Sequence, residues 1–417
     1  MFQLDIIGNG RVTLSLLKTI FDQKLDRYIS GINVWCRVQK ALSAGKVINN
    51  RDNINEDILR IYLMQRDARK NFNRMDEKVE FKTFSCIDDL GQLSNGTGKK
   101  VLILAVKYDL DELIYVDRAR KEKLKPANSS HFELLLSRMQ LIVPGMSSFD
   151  NRQGSDLRGK LLLDLKHIQN ERDIVRKAIN ELSHSISAGF TRLYNLEHSA
   201  IGVKYLSQAL ENYNGNIFNM INEVDTTNSI LHRFSGLKPE MIISPCENDT
   251  IRARFFLREQ LKSAGIDVRT ISLHYLGPHN HSGFIPMEMV KINGRPLDEI
   301  MNKKAALALI TEVTNKVNGF GEDVFLKKGS SDEDTVISIC STLSSLFKNS
   351  ESHLVRVSCY DKNGDLFSGL PGSFRGDQFK PMKKVVSGLL PESVERLLKA
   401  NNEQKEINGQ ILSAIRP

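Results

Sequence analysis

Cysteine and tryptophan are scarce in this chain of 417 residues, which has five cysteines and one tryptophan. The cysteines are odd in number, scattered and without CxxC spacing: they are Cys36, Cys86, Cys246, Cys340 and Cys359. This pattern argues against a disulfide framework and against a zinc site. A reducing cytoplasm fits such a chain, so we expect a cytoplasmic location.

Long apolar runs are also missing, and none reaches the length of a membrane span. The first residues, MFQLDIIGNGRV, lack the basic region and the long apolar region of a secretory signal, and they are typical of a strand. We therefore expect no membrane partner.

A concentrated basic surface motif is absent too, although the formal net charge is +8. Much of the basic character is dispersed, and no helix-turn-helix, RNA-binding or zinc-finger signature occurs, so we expect no nucleic-acid partner. The excess of lysine and arginine also suits an enzyme for anionic cofactors and carboxylate substrates. The hydrophobic fraction of 41% is sufficient for a substantial core.

Apolar runs alternate with helical patterns in the first half of the chain. Strands are predicted at residues 2–7, 31–36, 101–106, 217–221 and 241–244, and a helix at Val12–Phe21. This alternation predicts an α/β fold with a parallel sheet and right-handed crossovers, which is a Rossmann-type domain over residues 1–245.

Two other regions have different patterns. Residues 109–188 combine a basic stretch with a long amphipathic pattern at 161–186, and they predict a helical insertion. Beyond residue 245, helices are predicted at Arg252–Ala264 and Leu297–Val317, with short strands at 270–276, 287–292 and 354–360. Residues 246–417 therefore form a predicted α+β catalytic and substrate domain.

A glycine turn, Gly8-Asn9-Gly10, lies between the first strand and the first helix. The first glycine permits a tight turn, and the second lets the backbone approach a pyrophosphate at the helix N-terminus. The third glycine of this motif is replaced by Thr13, and an ordinary strand–helix turn is the alternative. The candidate cofactor-binding residues in this region are Gly8, Asn9, Gly10, Arg11 and Val12, with Ala105 at the end of a later strand.

The end of the second strand bears on the choice between NAD and NADP. An acidic residue there would hold the adenosine ribose, but the chain has Val34-Trp35-Cys36-Arg37. Arg37 could face a 2′-phosphate, which favours NADP, or it could be an ordinary surface arginine. Both cofactors stay open.

Three later segments occur in a characteristic order: Asn222-Glu223-Val224-Asp225, then Asn248 to Arg254, then Gly277-Pro278-His279-Asn280-His281-Ser282. They resemble the Asn-Pro-Val-Asp turn, the Asp-x-x-Arg-x-Arg helix and the Gly-Glu-His-Gly-Asp-Ser loop of the lactate/malate dehydrogenase family. Residues 285–300 look like the family's segment after the histidine, and residues 321–331 and 365–379 look like its later strands and turns. The resemblance covers nearly the whole chain apart from the insertion.

The chemistry of such an enzyme explains these residue types. Oxidation of a 2-hydroxy acid removes a hydride from carbon and a proton from the hydroxyl, and His279 is the candidate to take the proton. Asp249 would orient the imidazole, as the aspartate does in a serine hydrolase triad. Arg252, at i+3 from Asp249, would bind the substrate carboxylate through its guanidinium fork.

The resemblance implies further properties. It implies an NAD- or NADP-dependent oxidoreductase that acts on a small 2-hydroxy or 2-oxo acid, and it implies a homodimer or homotetramer. Asn222 would contact the nicotinamide and the substrate oxygen. Arg192, in Gly189-Phe190-Thr191-Arg192, would polarise the substrate carbonyl; a competing alignment on Lys125 to Ser130 would place Ser130 or His131 there and leave this role unfilled.

Some residues depart from the family pattern. Pro278, Asn280 and His281 flank the candidate histidine, Glu223 replaces the turn proline, and no arginine for a second carboxylate lies near Ile186. One alternative is therefore a non-catalytic cofactor-binding or regulatory scaffold that interacts through the insertion. Another is a metal-dependent enzyme that uses His274 and His281 beside His279.

Overall fold

A computed structural model of the chain describes residues 1–7, 11–37, 42–43, 46–47, 78–84, 93, 98–105, 173–182, 194–328, 332–350 and 353–415. The glycine turn at 8–10, the candidate Arg192 and most of the predicted insertion lie outside the described residues.

Within these residues, the strands longer than two residues assemble into one nine-stranded sheet. In chain order the strands are β1 Phe2–Ile7, β2 Ile29–Arg37, β3 Val79–Phe84, β4 Lys99–Leu104, β5 Asn216–Asn219, β6 Ile242–Pro245, β7 Ile271–Ser272, β8 Lys291–Ile292, β9 Arg295–Pro296, β10 Val355–Asp361, β11 Leu366–Arg375 and β12 Gln378–Pro381. The large sheet has the order β12-β11-β10-β6-β5-β4-β1-β2-β3, and β9-β8-β7 form a small separate sheet. Leu42–Ser43 and Lys46–Val47 pair as a further short hairpin.

The first six strands are parallel and follow the doubly wound order 3-2-1-4-5-6. The order reverses between β1 and β4, which opens a crevice beyond their carboxyl ends. The predicted α/β class with a Rossmann-type sheet is confirmed.

Helices cover both faces of this sheet. They are α1 Arg11–Asp22, α2 at residues 173–182, α3 Tyr194–Ala209, α4 Val224–Ser235, α5 Glu247–Ser263, α6 Lys303–Lys328, α7 Asp332–Lys348, α8 Lys383–Ser387 and α9 Pro391–Ala414. Alternate residues of β4 enter two cores: Leu102 and Leu104 pack with α2, α3, α4 and α9, whereas Val101 and Ile103 pack with α1 and α7. A strand buried on both faces explains the continuous apolar run of its sequence.

The second half of the chain is joined directly to this sheet. β10 pairs antiparallel with β6, so that Val357 lies opposite Pro245. A third core, which includes Leu257 of α5 and Ile310 of α6, packs these two helices on the segment around Leu273. The division between two domains at residue 245 stays a prediction.

Several element boundaries differ from the predictions. The strands predicted at 270–276 and 287–292 are reduced to Ile271–Ser272 and Lys291–Ile292, with a short 3-10 turn at Met287–Met289. Residues 321–328, expected among strands and turns, belong to the long helix α6. Because α6 packs along α5, glycines at 319 and 321 do not end it, although glycine weakens a helix interior.

Candidate active site

The three motif segments meet beyond the carboxyl ends of β5 and β6. The turn at 222–225 follows β5, α5 follows β6, and the loop at 277–282 is joined to β11 by two backbone hydrogen bonds between Gly277 and Gly369, of 3.1 and 3.0 Å. Gly277 has a φ of +90°, in the left-handed region that favours glycine. The topology thus brings residues from distant parts of the sequence to one edge of the sheet.

His279 and Asp249 form the centre of this cluster. His279 Nδ1 lies 2.6 Å from Asp249 Oδ2, and the two side chains are 13% and 8% exposed. Because Nδ1 is bound by Asp249, proton transfer at this imidazole falls to Nε2. A nearly buried imidazole–carboxylate pair of this geometry can accept and return a proton at a fixed position.

Arg252 lies one turn further along α5, but its guanidinium contacts a protein carboxylate. Its Nε and Nη2 atoms donate to Asp334 Oδ2 of α7 at 3.0 and 2.8 Å. Its Nη1 atom is 3.8 Å from Asp249 Oδ1, and the guanidinium lies over the Phe320 ring at 4.9 Å. Asp334 therefore occupies one edge of the guanidinium that was predicted to bind the substrate carboxylate.

A second arginine, Arg356 of β10, was not identified from the sequence. Its side chain is 1% exposed, and its Nη1 atom donates to Asp249 Oδ2 at 2.5 Å. Burial opposes ionisation of Asp249, but its interactions with His279 and Arg356 outweigh this effect and hold the pKa of this carboxyl well below its usual range. Burial also opposes the charge of Arg356, and the Asp249 carboxylate more than offsets it and raises the guanidinium pKa.

Asp225 supports the histidine from the other side. Its Oδ2 accepts the backbone N–H of His279 at 2.6 Å, and its Oδ1 accepts the hydroxyl of Ser358. Burial raises the pKa of this carboxyl. Asp225 belongs to the sequence motif that starts at Asn222, and this motif was the signal that could have identified it as a residue of the site.

Asn222 is exposed, and its backbone carbonyl accepts the hydroxyl of Ser199 from α3 at 2.8 Å. The peptide bond to Glu223 is cis. Asn222 lies three residues before Asp225, so its backbone is fixed at the edge of the His279 cluster while the residue faces solvent.

The other histidines of this region do not gather into a cation site. Among the described residues, no group of three or more histidine, cysteine, aspartate or glutamate side chains is placed to hold a metal ion. Burial, together with Arg254, lowers the pKa of His274.

Two of the candidate cofactor residues, Val12 and Ala105, come after β1 and β4, the strands between which the strand order reverses. Ala105 is buried directly after β4, and its N–H donates to the carbonyl of Ile7 at 2.9 Å. Val12 is buried in α1, whose first residue is Arg11. The side chains of Arg11 and Arg37 lie outside the described set.

This crevice fits a dinucleotide in the residues that are described. Three residues separate the end of β1 from the start of α1, which places the helix N-terminus where a pyrophosphate binds in doubly wound sheets. Thr13, at the third glycine position, is 1% exposed, and its hydroxyl has no hydrogen-bond partner within the described part of the chain.

These features define a doubly wound α/β protein of the dinucleotide-binding type with a buried imidazole–carboxylate pair. Residues 247–412 match the family model of the lactate/malate dehydrogenase alpha/beta C-terminal domain. Over these residues the chain is similar to the lactate/malate dehydrogenase family, and the family resemblance predicted from the motifs is confirmed.

A curated relative is similar to this chain in sequence, and several solved structures are similar to it in fold. A malate dehydrogenase of Chlorobium phaeovibrioides is 27% identical over 198 residues, which cover 46% of this chain and 57% of that enzyme's length. Malate dehydrogenase of Plasmodium falciparum, solved with NADH, has a TM-score of 0.60 at 12% identity and covers 99% of this chain and 100% of its own. Malate dehydrogenase of Aeropyrum pernix has a TM-score of 0.58 at 12% identity and covers 98% of each chain.

No helix within the described residues has both the length and the apolar character needed to cross a membrane.

Proposed function

We propose that this chain is an NAD- or NADP-dependent dehydrogenase that transfers a hydride between nicotinamide and a small 2-hydroxy or 2-oxo acid. The supporting observation is the 2.6 Å contact between His279 Nδ1 and Asp249 Oδ2, made by two residues of the family's motifs. The domain match and the doubly wound order of the sheet also support it. We further propose a cytoplasmic homodimer or homotetramer.

The proton would move at His279. A bound nicotinamide would supply the acceptor or donor of the hydride. In oxidation, His279 Nε2 takes the hydroxyl proton of the substrate, and Asp249 stabilises the imidazolium that forms. The nearly buried position of both side chains keeps bulk water away from the transferred proton.

The remaining candidates would bind substrate and cofactor. Arg252 binds the substrate carboxylate, which takes over the contact that Asp334 makes. Arg192 polarises the carbonyl, and Asn222 lies at the nicotinamide side. The glycine turn, at residues 8–10, and the start of α1 would hold the pyrophosphate.

A panel of 2-oxo acids tests this proposal, with each acid assayed against NADH and NADPH by loss of absorbance. His279→Asn is expected to lower kcat by about 100-fold or more, because it removes the proton donor. Binding of the cofactor, followed by nicotinamide fluorescence, is expected to persist in this variant. His274→Asn is the matched control, since His274 lies nearby without contacting Asp249 in the described hydrogen bonds.

Two results would contradict the proposal. One is failure of the protein to bind either cofactor at millimolar concentration. The other is a His279→Asn variant that turns over its substrate as fast as His274→Asn.

A second candidate function is a non-catalytic scaffold that binds cofactor and interacts through the insertion at 109–188. The Arg252–Asp334 pair favours it, because Asp334 already accepts from two of the donors that a substrate carboxylate would use. This candidate predicts cofactor binding without turnover of any acid in the panel, and full biological activity of His279→Asn.

A further inference from the structure

A buried cation lies behind the His279–Asp249 pair. Besides Asp249, the guanidinium of Arg356 donates to the carbonyls of Cys246 at 3.1 Å, of Gly277 at 2.8 Å and of Pro278 at 3.5 Å. These acceptors belong to the end of β6, the start of α5 and the histidine loop. One side chain of β10 therefore ties together the three segments that hold the pair.

The surrounding residues leave room for this guanidinium. A Cβ added at Gly369 would lie 2.3 Å from Arg356 Nη2, so only glycine fits beside it. The guanidinium also lies over the Tyr275 ring, 5.0 Å from its centroid. Within the described residues, Nε is the one guanidinium nitrogen that lacks an acceptor. The fold therefore holds the Arg356 guanidinium in one defined position.

The same carboxylate oxygen serves both positive partners. Asp249 Oδ2 contacts His279 Nδ1 at 2.6 Å and Arg356 Nη1 at 2.5 Å. When the imidazole is neutral, the negative charge of Asp249 and the positive charge of Arg356 cancel. With a protonated imidazole, the three groups carry a net positive charge in a buried site, which is costly.

Other ionisable groups near this cluster also have defined partners. Asp225 of α4 faces the backbone of His279, and Arg252 of α5 lies 3.8 Å from Asp249. Glu247 of α5 accepts the backbone N–H of Arg356 at 2.7 Å, and Tyr275 and Cys246 also lie beside the guanidinium. Asp334 of α7 offsets the charge of Arg252. Arg356 is therefore the cation that shares its carboxylate oxygen directly with the histidine.

We infer that Arg356 is a positioning residue that fixes the Asp249–His279 pair and holds part of the Asp249 charge, so that the neutral, proton-accepting imidazole is favoured. The consequence for catalysis rests on the proposed function. The charge coupling between Arg356 and His279 does not rest on that function, because it can be measured without substrate or cofactor.

The test follows protonation of the His279 ring by NMR in histidine-labelled protein, with the His279→Asn spectrum to assign the signal. In Arg356→Met, which keeps much of the side-chain volume without the charge, the midpoint of the titration is expected to rise by about one pH unit, a tenfold gain in proton affinity. Arg356→Lys retains the charge and is expected to stay close to the wild-type midpoint. A purely structural role predicts the opposite direction, because loss of the Asp249 contact would lower the midpoint.

A second pair of variants avoids leaving Asp249 buried without its cation. Asp249→Asn is expected to lower the midpoint below that of the wild type, and Asp249→Asn with Arg356→Met is expected to raise it again by about tenfold in proton affinity. Equal midpoints in these two proteins would overturn the inference. If the titrations shift as expected but the wild type has no turnover, the proposed function fails and the role of Arg356 stands.

Discussion

At the scale of single residues, the contact between Arg252 and Asp334 concerns the substrate most directly. Both Nε and Nη2 of Arg252 donate to one oxygen of Asp334, and the Arg252 side chain is 6% exposed. A substrate carboxylate would need the same donors in the same fork. Asp334 is therefore a competitor within the protein, and its negative charge also repels an approaching anion.

Removal of this charge is expected to improve substrate binding. In Asp334→Asn, KM for the preferred 2-oxo acid should fall by about tenfold, or ~1.4 kcal/mol, with little change in kcat. The reason is that Arg252 is released while the amide still fills the space. Steady-state kinetics measure the change, and Glu312→Gln, which loses an exposed ion pair with Lys316, is the control. An unchanged or higher KM would show that Asp334 does not occupy the carboxylate site.

The sequence identified part of this residue set. His279 and Asp249 are recognisable because a motif surrounds each of them, and the structure brings them together. Arg356 and Asp334 lie 107 and 82 residues from their partners along the chain, and only the tertiary fold creates these contacts. A charged residue inside the apolar strand predicted at 354–360 was the available signal for Arg356.

At the scale of elements, β10 and β11 act as the support of the histidine loop. β10 supplies Arg356 and Ser358, and β11 supplies Gly369, which pairs with Gly277. The space beside Gly369 is filled by Arg356 Nη2 and by the Gly277 carbonyl, at 2.3 and 2.5 Å from the position of an added Cβ. Neither group can move without displacing the histidine loop.

Gly369→Ala is therefore expected to destabilise the fold by about 1–3 kcal/mol, as overpacking does in a buried site. It should also lower kcat, because the histidine loop must shift. Gly409→Ala is the matched control: an added Cβ there meets nothing within 4 Å in α9, so the same substitution should be neutral or stabilising. Denaturant unfolding compares the two, and a Gly369→Ala protein as stable as the wild type would refute the packing argument.

Secondary structure was predictable where one pattern dominated. The parallel strands β4 and β6 are short, apolar and buried on both faces, and their sequences indicate this directly. Two-residue strands such as β7 and β8 have no periodicity of their own, and neighbouring strands define them. Helix α6 extends past the predicted end at Val317, because its packing on α5 overrides the local effect of two glycines.

At the scale of the whole molecule, one sheet joins the crevice to the His279–Asp249 pair. The crevice between β1 and β4 and the ends of β5 and β6 lie at the same carboxyl edge. The antiparallel strands β10 and β11 extend this sheet and carry the residues behind the His279–Asp249 pair. A cofactor in the crevice and a substrate beside His279 would thus meet at one edge of the same sheet.

Cofactor binding is consequently expected to stabilise the protein as a whole. A ligand that binds only the folded state adds about 2.7 kcal/mol at 100 times its Kd, so Tm should rise with NADH or NADPH concentration. The His279→Asn variant should show the same rise in Tm, because the imidazole lies outside the crevice proposed to hold the pyrophosphate.

The Arg37→Ala variant distinguishes the two cofactors. If Arg37 faces a 2′-phosphate, this variant should show a smaller rise in Tm with NADPH and an unchanged rise in Tm with NADH. Equal rises in Tm before and after this substitution would indicate that Arg37 is an ordinary surface arginine. The absence of any rise in Tm with either cofactor would contradict both the proposed dehydrogenase and the cofactor-binding scaffold.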